Sequence, residues 1–182
     1  MQTHIVVECN TDAAILKMVL APELAGNGMR IWSAGAKSAA DSLARTLLSV
    51  REEPTILVVD SDSESDTEER QFFENSLHRV AAKEMWRLCL AVPTIESCFF
   101  DHPEFVEDLF AIKLSEADKV LARFRPKDVL EKLFQSKGMR YSPESISTLL
   151  KDKDLTLLRE SNLLRDIRKA LAEIQMSVAE AA

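Results

Sequence analysis

The sequence predicts an α/β fold, a four-stranded and mostly parallel sheet that is flanked by helices and followed by a C-terminal helical appendage. Two observations favour this class. Short apolar segments alternate with longer segments of helical periodicity, which is typical of βαβ units. After about residue 100, every segment has the helical pattern. We therefore expect an α/β domain over residues 1–102 and the appendage over residues 103–182.

The strands are predicted from short runs of β-branched and large apolar residues. They cover residues 4–8, 30–32, 55–59 and 86–92, and Pro93 ends the last of them. Nearly continuous apolar runs of this kind indicate a sheet that is covered on both faces.

Helices are predicted between these strands, over residues 12–20, from the turn at 33–37 to about residue 50, and over residues 67–83. The last of them is amphipathic. Its expected core residues are Phe72, Phe73, Leu77 and Val80. In the appendage, helices are expected at about 104–111, 115–123, 126–136, 143–151 and 160–175.

Composition narrows the class of protein. The chain has 182 residues, a net charge of −7 and 46% hydrophobic residues, which suits a globular domain with a sizeable core. No apolar run reaches the ~20 residues of a membrane span, and no signal peptide is recognisable. The three cysteines lack zinc-ligand spacing, and their odd number favours reduced thiols. These features predict a cytoplasmic protein.

Acidic residues stand at or just after the ends of three predicted strands. In chain order they are Glu8, Asp12, Asp60, Asp62 and Glu96. Because the carboxyl ends of parallel strands meet at one edge of a sheet, we expect the first four of these side chains to lie together, and Glu96 could complete the metal shell. Carboxylates so close repel each other unless a cation lies between them, and oxygen ligands suit Mg²⁺ or Mn²⁺.

Each acid also has an ordinary structural alternative. Asp60 and Asp62 could belong to an acidic surface loop, and Asp12 and Glu96 could be acids in the first turn of a helix. Glu8 is harder to explain in this way, because a carboxylate that ends a buried strand needs a partner.

Three short motifs resemble those of a Toprim domain, namely Val7-Glu8 with Asp12, Val59-Asp60-Ser61-Asp62, and Pro93-Thr94-Ile95-Glu96. The similarity covers about residues 4–101. It is closest to the nucleases named for overcoming lysogenization defect and to small stand-alone bacterial relatives. The first motif of that group usually reads Val-Glu-Gly, whereas Cys9 stands at the glycine position here, and Asp12 stands where glutamate is commoner.

The resemblance implies phosphodiester cleavage with Mg²⁺ or Mn²⁺, in which metal ions activate water and stabilise the leaving oxygen. It implies that Glu8 is a metal ligand or general base. Asp60 and Asp62 would be the principal metal ligands. Asp12 and Glu96 would bind a second metal ion.

Lys37 follows a small-residue turn, Ala34-Gly35-Ala36, that resembles the second turn of the same family. It is the candidate for balancing charge on the phosphate, and its alternative is a solvated lysine in a first helical turn. The sole tyrosine, Tyr141, lies in the appendage, so we do not expect topoisomerase activity. A Gly-Lys-Ser/Thr phosphate loop is absent from the sequence, so we expect no ATPase activity in this chain.

Charge is distributed unevenly along the chain. Residues 1–112 hold 9 basic and 19 acidic residues, whereas residues 113–182 hold 14 basic and 11 acidic residues. The basic residues of 113–140 are Lys113, Lys119, Arg123, Arg125, Lys127, Lys132, Lys137 and Arg140. They predict a surface that guides a phosphate backbone. The alternative is a solvated outer face on helices that form a homodimer or bind a protein partner.

The favoured interpretation is a metal-dependent nuclease, or the nuclease subunit of a bacterial system such as phage defence. Its predicted partners are nucleic acid, either DNA or RNA, and an ATPase or other protein. Two alternatives stay open at this point. One is a non-catalytic Toprim-fold module that regulates or binds through a partner, and the other is a phosphate-binding or nucleotidyl-transfer enzyme.

Overall fold

The structure, a computed structural model, describes residues 2–26, 28–61 and 67–180, with side chains up to residue 177. Within these ranges, four strands form one all-parallel sheet in the order β2-β1-β3-β4. The strands are β1 (Thr3–Val7), β2 (Met29–Ser33), β3 (Thr55–Asp60) and β4 (Trp86–Ala91). The predicted α/β class with a parallel sheet is therefore confirmed.

Helices connect the strands of the sheet. They are α1 (Asn10–Val19), the short α2 (Ala21–Leu24), α3 (Lys37–Val50) and α4 (Thr67–His78). The prediction that the last of these helices reaches residue 83 is wrong. The backbone amides of Val80 and Ala81 both donate to the carbonyl of Leu77, which closes α4 early. A separate 3₁₀ turn, Lys83–Met85, then leads into β4.

The remaining part of the described chain is helical, as expected. Its helices are α5 (Ser97–Phe100), α6 (Pro103–Phe110), α7 (Glu116–Phe124), α8 (Pro126–Ser136), α9 (Pro143–Leu150), α10 (Thr156–Arg159) and α11 (Asn162–Glu180). Proline in the first turn fixes the start of α6, α8 and α9, since its missing N–H is not needed there. Ser115 and Ser142 cap α7 and α9 through their hydroxyls.

Alternate residues of the strands enter two separate cores, because successive side chains of a strand point to opposite faces. Ile5 and Ile56 pack against the C-terminal helices, and Val6 and Leu57 pack against α3 and α4. The C-terminal helices thus share a core with the sheet, and a domain boundary at residue 102 stays a prediction. No helix in the described part of the chain is long and apolar enough to cross a membrane.

One expected core residue lies on the surface. Phe73 and Leu77 are buried on one face of α4, and Val80 packs against them partly buried, as predicted. Phe72 is 63% exposed, so its assignment to the core is wrong. Phe73 and Leu77 are four residues apart, so they lie on the same, buried face of α4. Phe72 precedes Phe73 by one residue, and an α-helix rotates by about 100° per residue, so Phe72 points away from that face.

Candidate metal and catalytic site

Two acids at the ends of central strands are joined directly. Glu8 follows β1, and its Oε1 accepts a hydrogen bond from the backbone amide of Asp60 at 2.8 Å. Asp60 ends β3, and its Oδ1 accepts from the backbone amide of Ile95 at 2.8 Å. Because Ile95 follows β4, these two bonds connect the carboxyl ends of three neighbouring strands.

Asp12 belongs to the same edge, in the first turn of α1. It is only 6% exposed, and its two oxygens accept from the backbone amide and the thiol of Cys9, each at 3.0 Å. Cys9 is the N-cap of α1, so Asp12 completes a capping box, in which an acid in the first helical turn accepts the backbone amide of the N-cap residue. Burial raises the pKa of the Cys9 thiol to about 11, so the thiol keeps its proton.

Glu96 is buried next to the same strand ends, with 2% of its surface exposed. Its oxygens accept hydrogen bonds from the hydroxyls of Thr94 at 2.6 Å and Tyr141 at 2.8 Å. Burial, followed by the charge of Glu96, raises the pKa of Tyr141, so the phenol keeps its proton. Tyr141 therefore orients Glu96 and is unsuited to act as a nucleophile.

The four carboxylates Glu8, Asp12, Asp60 and Glu96 interact electrostatically, and together they are called the carboxylate cluster below. Burial raises the pKa of Asp60 to about 8, with further contributions from the charges of Asp12, Glu96 and Glu8. Burial also raises the pKa of Asp12, and Glu96 adds to this effect. Cations near such a cluster are favoured, because they offset the repulsion.

Lys127, in the first turn of α8, faces the carboxylate cluster. Partial burial lowers its pKa, but the negative charge of Glu96, with contributions from other acidic neighbours, outweighs that effect and raises the pKa above its ordinary value. The sequence gives no local signal for this placement. Helix α5 begins directly after Glu96, and α8 packs against α5. This packing brings Lys127 to the cluster.

Lys37, the lysine chosen from the sequence, has a different environment. Its Nζ pairs with Oε1 of Glu69 at 2.6 Å, which links the first turns of α3 and α4. It also lines a cavity between these two helices. Its proposed contact with phosphate stays a prediction.

Whether the carboxylate cluster suits a metal ion depends on the chemistry of its donor atoms and on how these atoms are arranged. The donors are carboxylate oxygens, which Mg²⁺ and Mn²⁺ prefer. Within the described residues, however, no group of three or more His, Cys, Asp or Glu side chains is arranged to hold a metal ion. The carboxylates accept hydrogen bonds from amides, hydroxyls and a thiol instead. Asp62, predicted as a principal ligand, lies outside the described residues.

The basic residues of 113–140 are partly neutralised. Four of them form ion pairs with nearby acids, namely Lys113 with Glu107 (2.6 Å), Lys119 with Glu116 (2.9 Å), Arg125 with Asp128 (2.7 Å) and Lys132 with Asp118 (2.8 Å). These pairs reduce the charge available to a phosphate backbone. Lys127 differs from them, because the acids that raise its pKa include members of the carboxylate cluster.

Comparison with known proteins does not assign the chain to a family. No family model matches it, and no curated protein matches it. The Toprim resemblance therefore depends on short sequence motifs alone, and it stays a prediction.

Proposed function

We propose that this chain is a Toprim-type nuclease, or the nuclease subunit of a larger bacterial system, that cleaves phosphodiester bonds with Mg²⁺ or Mn²⁺. The observation that carries the proposal is the convergence of four carboxylates and Lys127 at the carboxyl edge of a parallel sheet. Ligand sites of open α/β sheets lie at this edge.

Glu8 and Asp60 would hold the metal ion from the central strands, with Asp62, and Asp12 and Glu96 would hold a second one. When bound, the metal ions supply an activated water and stabilise the leaving oxygen of an in-line displacement. In this proposal the carboxylates exchange their present hydrogen bonds for coordination. Because its pKa is about 8, Asp60 is protonated at neutral pH, and it releases this proton when it coordinates the metal ion.

Other side chains have proposed roles around these ligands. The Lys127 ammonium contacts a non-bridging oxygen of the phosphate and offsets the charge that develops there. Tyr141 fixes the orientation of Glu96 through its hydroxyl. The basic residues of 113–140, Lys127 included, guide the phosphate backbone of DNA or RNA toward the carboxylate cluster.

The test is cleavage of labelled DNA and RNA by purified protein with Mn²⁺, and with EDTA as the metal-free control. We expect Glu8→Gln to lose cleavage because one metal ligand and base is removed. Glu104→Gln, a change at an exposed glutamate on α6, serves as the matched control and should cleave normally. Equal cleavage by Glu8→Gln and wild type, in preparations with the same unfolding temperature, would contradict the proposal.

The second candidate is a non-catalytic binding or regulatory module that acts through a protein partner. It is favoured by the hydrogen-bonded state of the carboxylates, which are not gathered around one point in the described residues. This candidate predicts no cleavage with any metal, although a partner such as an ATPase would still bind. Both candidates place the protein in the cytoplasm as part of the proposal.

A further inference from the structure

Helix α7 carries a stripe of exposed apolar residues. Val120 is 53% exposed, Leu121 39% and Phe124 51%, and Ala117 is exposed as well. Relative to Ala117, the other three residues follow at three, four and seven positions, so all four lie on one face of the helix. Each of the other described helices exposes at most one large apolar side chain. Clustered exposed apolar side chains, unlike scattered single ones, mark interaction surfaces.

The opposite face of α7 anchors the helix to the rest of the protein. Ala122 on that face is only 2% exposed, and α7 packs against α5 and α8. The hydroxyl of Ser115 caps its first turn. The apolar stripe is therefore the outer face of a helix that already has its own place in the fold.

Charged residues beside the stripe are arranged with a spacing of two helical turns. Glu116 and Arg123 are seven residues apart, so they lie on the same flank of the stripe, the acid near the start of α7 and the base near its end. Arg123 is exposed and forms no ion pair within the described residues. Glu116 pairs with Lys119 at 2.9 Å, and an exposed pair of this kind contributes little to stability. On the other flank, Asp118 and Arg125 pair with residues of α8.

A second, antiparallel copy of α7 complements this pattern. With a two-fold axis between positions 120 and 121, Val120 of one copy lies opposite Leu121 of the other. The small Ala117 then lies opposite the large Phe124. The axis keeps each flank on its own side, so Glu116 of each copy lies beside Arg123 of the other. Helix α7 is thus complementary to itself in both size and charge.

We propose that α7 forms the interface of a symmetric homodimer, in which two antiparallel copies pack through the apolar stripe and form two reciprocal Glu116–Arg123 ion pairs. A second copy is favoured over an anionic membrane, because Glu116 beside the stripe would repel the lipid headgroups. It is favoured over an unrelated protein, because α7 itself supplies the complementary sizes and charges. The inference does not depend on the proposed nuclease activity. Arg123 then serves the dimer, and guidance of phosphate falls to the other basic residues of 113–140.

The first test is sedimentation equilibrium of the full chain over a range of concentrations. Wild type should show an equilibrium between monomer and dimer. Phe124→Glu should raise the dissociation constant of the dimer by about a hundredfold or more, because each dimer loses two central rings and would bury two charges. Phe72→Glu makes the same change at a 63% exposed ring on α4, and it should dimerise as wild type does. Both rings are exposed, so both variants should keep the circular dichroism spectrum of wild type.

The second test exchanges the charges of the predicted ion pairs. Glu116→Arg alone, or Arg123→Glu alone, places like charges opposite each other twice, so each should raise the dissociation constant by about tenfold or more. The two changes together in one chain should restore dimerisation. A mixture of the two single variants should form heterodimers, because every charge then meets an opposite one. Only an interface in which α7 meets α7 predicts this rescue.

Several outcomes would overturn the inference. They are wild type that stays monomeric even at about 1 mM, wild-type dimerisation by Phe124→Glu, and single charge variants that dimerise as wild type does. Failure of both the double variant and the mixture to dimerise would also overturn it. So would monomeric wild type that binds vesicles of anionic phospholipid through the stripe, with binding lost in Phe124→Glu.

Discussion

The carboxyl group of Asp60 should make the stability of the metal-free protein depend on pH. Its pKa is raised from 3.8 to about 8 by burial and by the charges of Asp12, Glu96 and Glu8. The unfolded chain has an ordinary aspartate there. Between about pH 4 and pH 8, the folded protein therefore holds a proton that the unfolded chain has released.

The sign of the effect follows from linkage. The stabilisation is fully present below about pH 4, and it is lost as the pH rises toward about 8. One proton corresponds to about 1.4 kcal/mol of unfolding free energy per pH unit, so wild type should lose about 3 kcal/mol between about pH 5 and pH 7. Asp60→Asn lacks this titration, and its amide oxygen can still accept from Ile95.

Urea denaturation in EDTA at a series of pH values measures this effect. The difference in unfolding free energy between Asp60→Asn and wild type should grow by about 3 kcal/mol from about pH 5 to pH 7, in favour of the variant. Asp108→Asn, at an exposed position on α6, is the matched control and should follow wild type. Parallel curves for Asp60→Asn and wild type would refute the electrostatic interpretation of the carboxylate cluster.

Three further predictions concern the residues around the cluster. Tyr141→Phe leaves one oxygen of buried Glu96 without its donor, so the unfolding free energy should fall by about 1–3 kcal/mol in urea titrations, and an unchanged value would contradict the contact. Lys127→Gln should lower kcat about a hundredfold with a normal unfolding temperature, whereas Lys153→Gln, at an exposed position outside the basic segment 113–140, should keep full activity. Changing Arg123, Arg125 and Lys127 together to alanine should flatten the log–log salt dependence of duplex binding by up to about 0.9 per lost phosphate contact. A wild-type salt slope would instead favour an assembly surface, which light scattering would test.

Much of the fold can be predicted from the sequence because strands and helices leave strong local patterns. The alternation of apolar runs with helical segments locates all four described strands and the main helices. Strand ends also predict which acids meet, since Glu8 and Asp60 follow neighbouring parallel strands. Their direct hydrogen bond is a consequence of sheet topology.

Contacts between distant parts of the chain could not be predicted in this way. Tyr141 bonds Glu96 across 45 residues, and nothing in the local sequence of Tyr141 indicates that contact. Lys127 faces the cluster for the same reason, through packing of α8, whereas Lys37, with the more suggestive motif, pairs with Glu69. Phe72 shows a related limit, because apolar character alone does not decide which face of a helix is buried.

The central claim is that the carboxylate cluster binds a divalent metal ion, and calorimetric titration of Mn²⁺ tests it most directly. Near pH 7 we expect saturable binding that releases about one proton, detected as a dependence of the heat on the ionisation enthalpy of the buffer, because Asp60 must deprotonate to coordinate. Binding should also raise the unfolding temperature, since the ion is selective for the folded state. Asp60→Asn combined with Asp62→Asn should lose both effects. Absence of binding heat and of any shift in unfolding temperature at millimolar Mn²⁺, in folded wild-type protein, would contradict the claim.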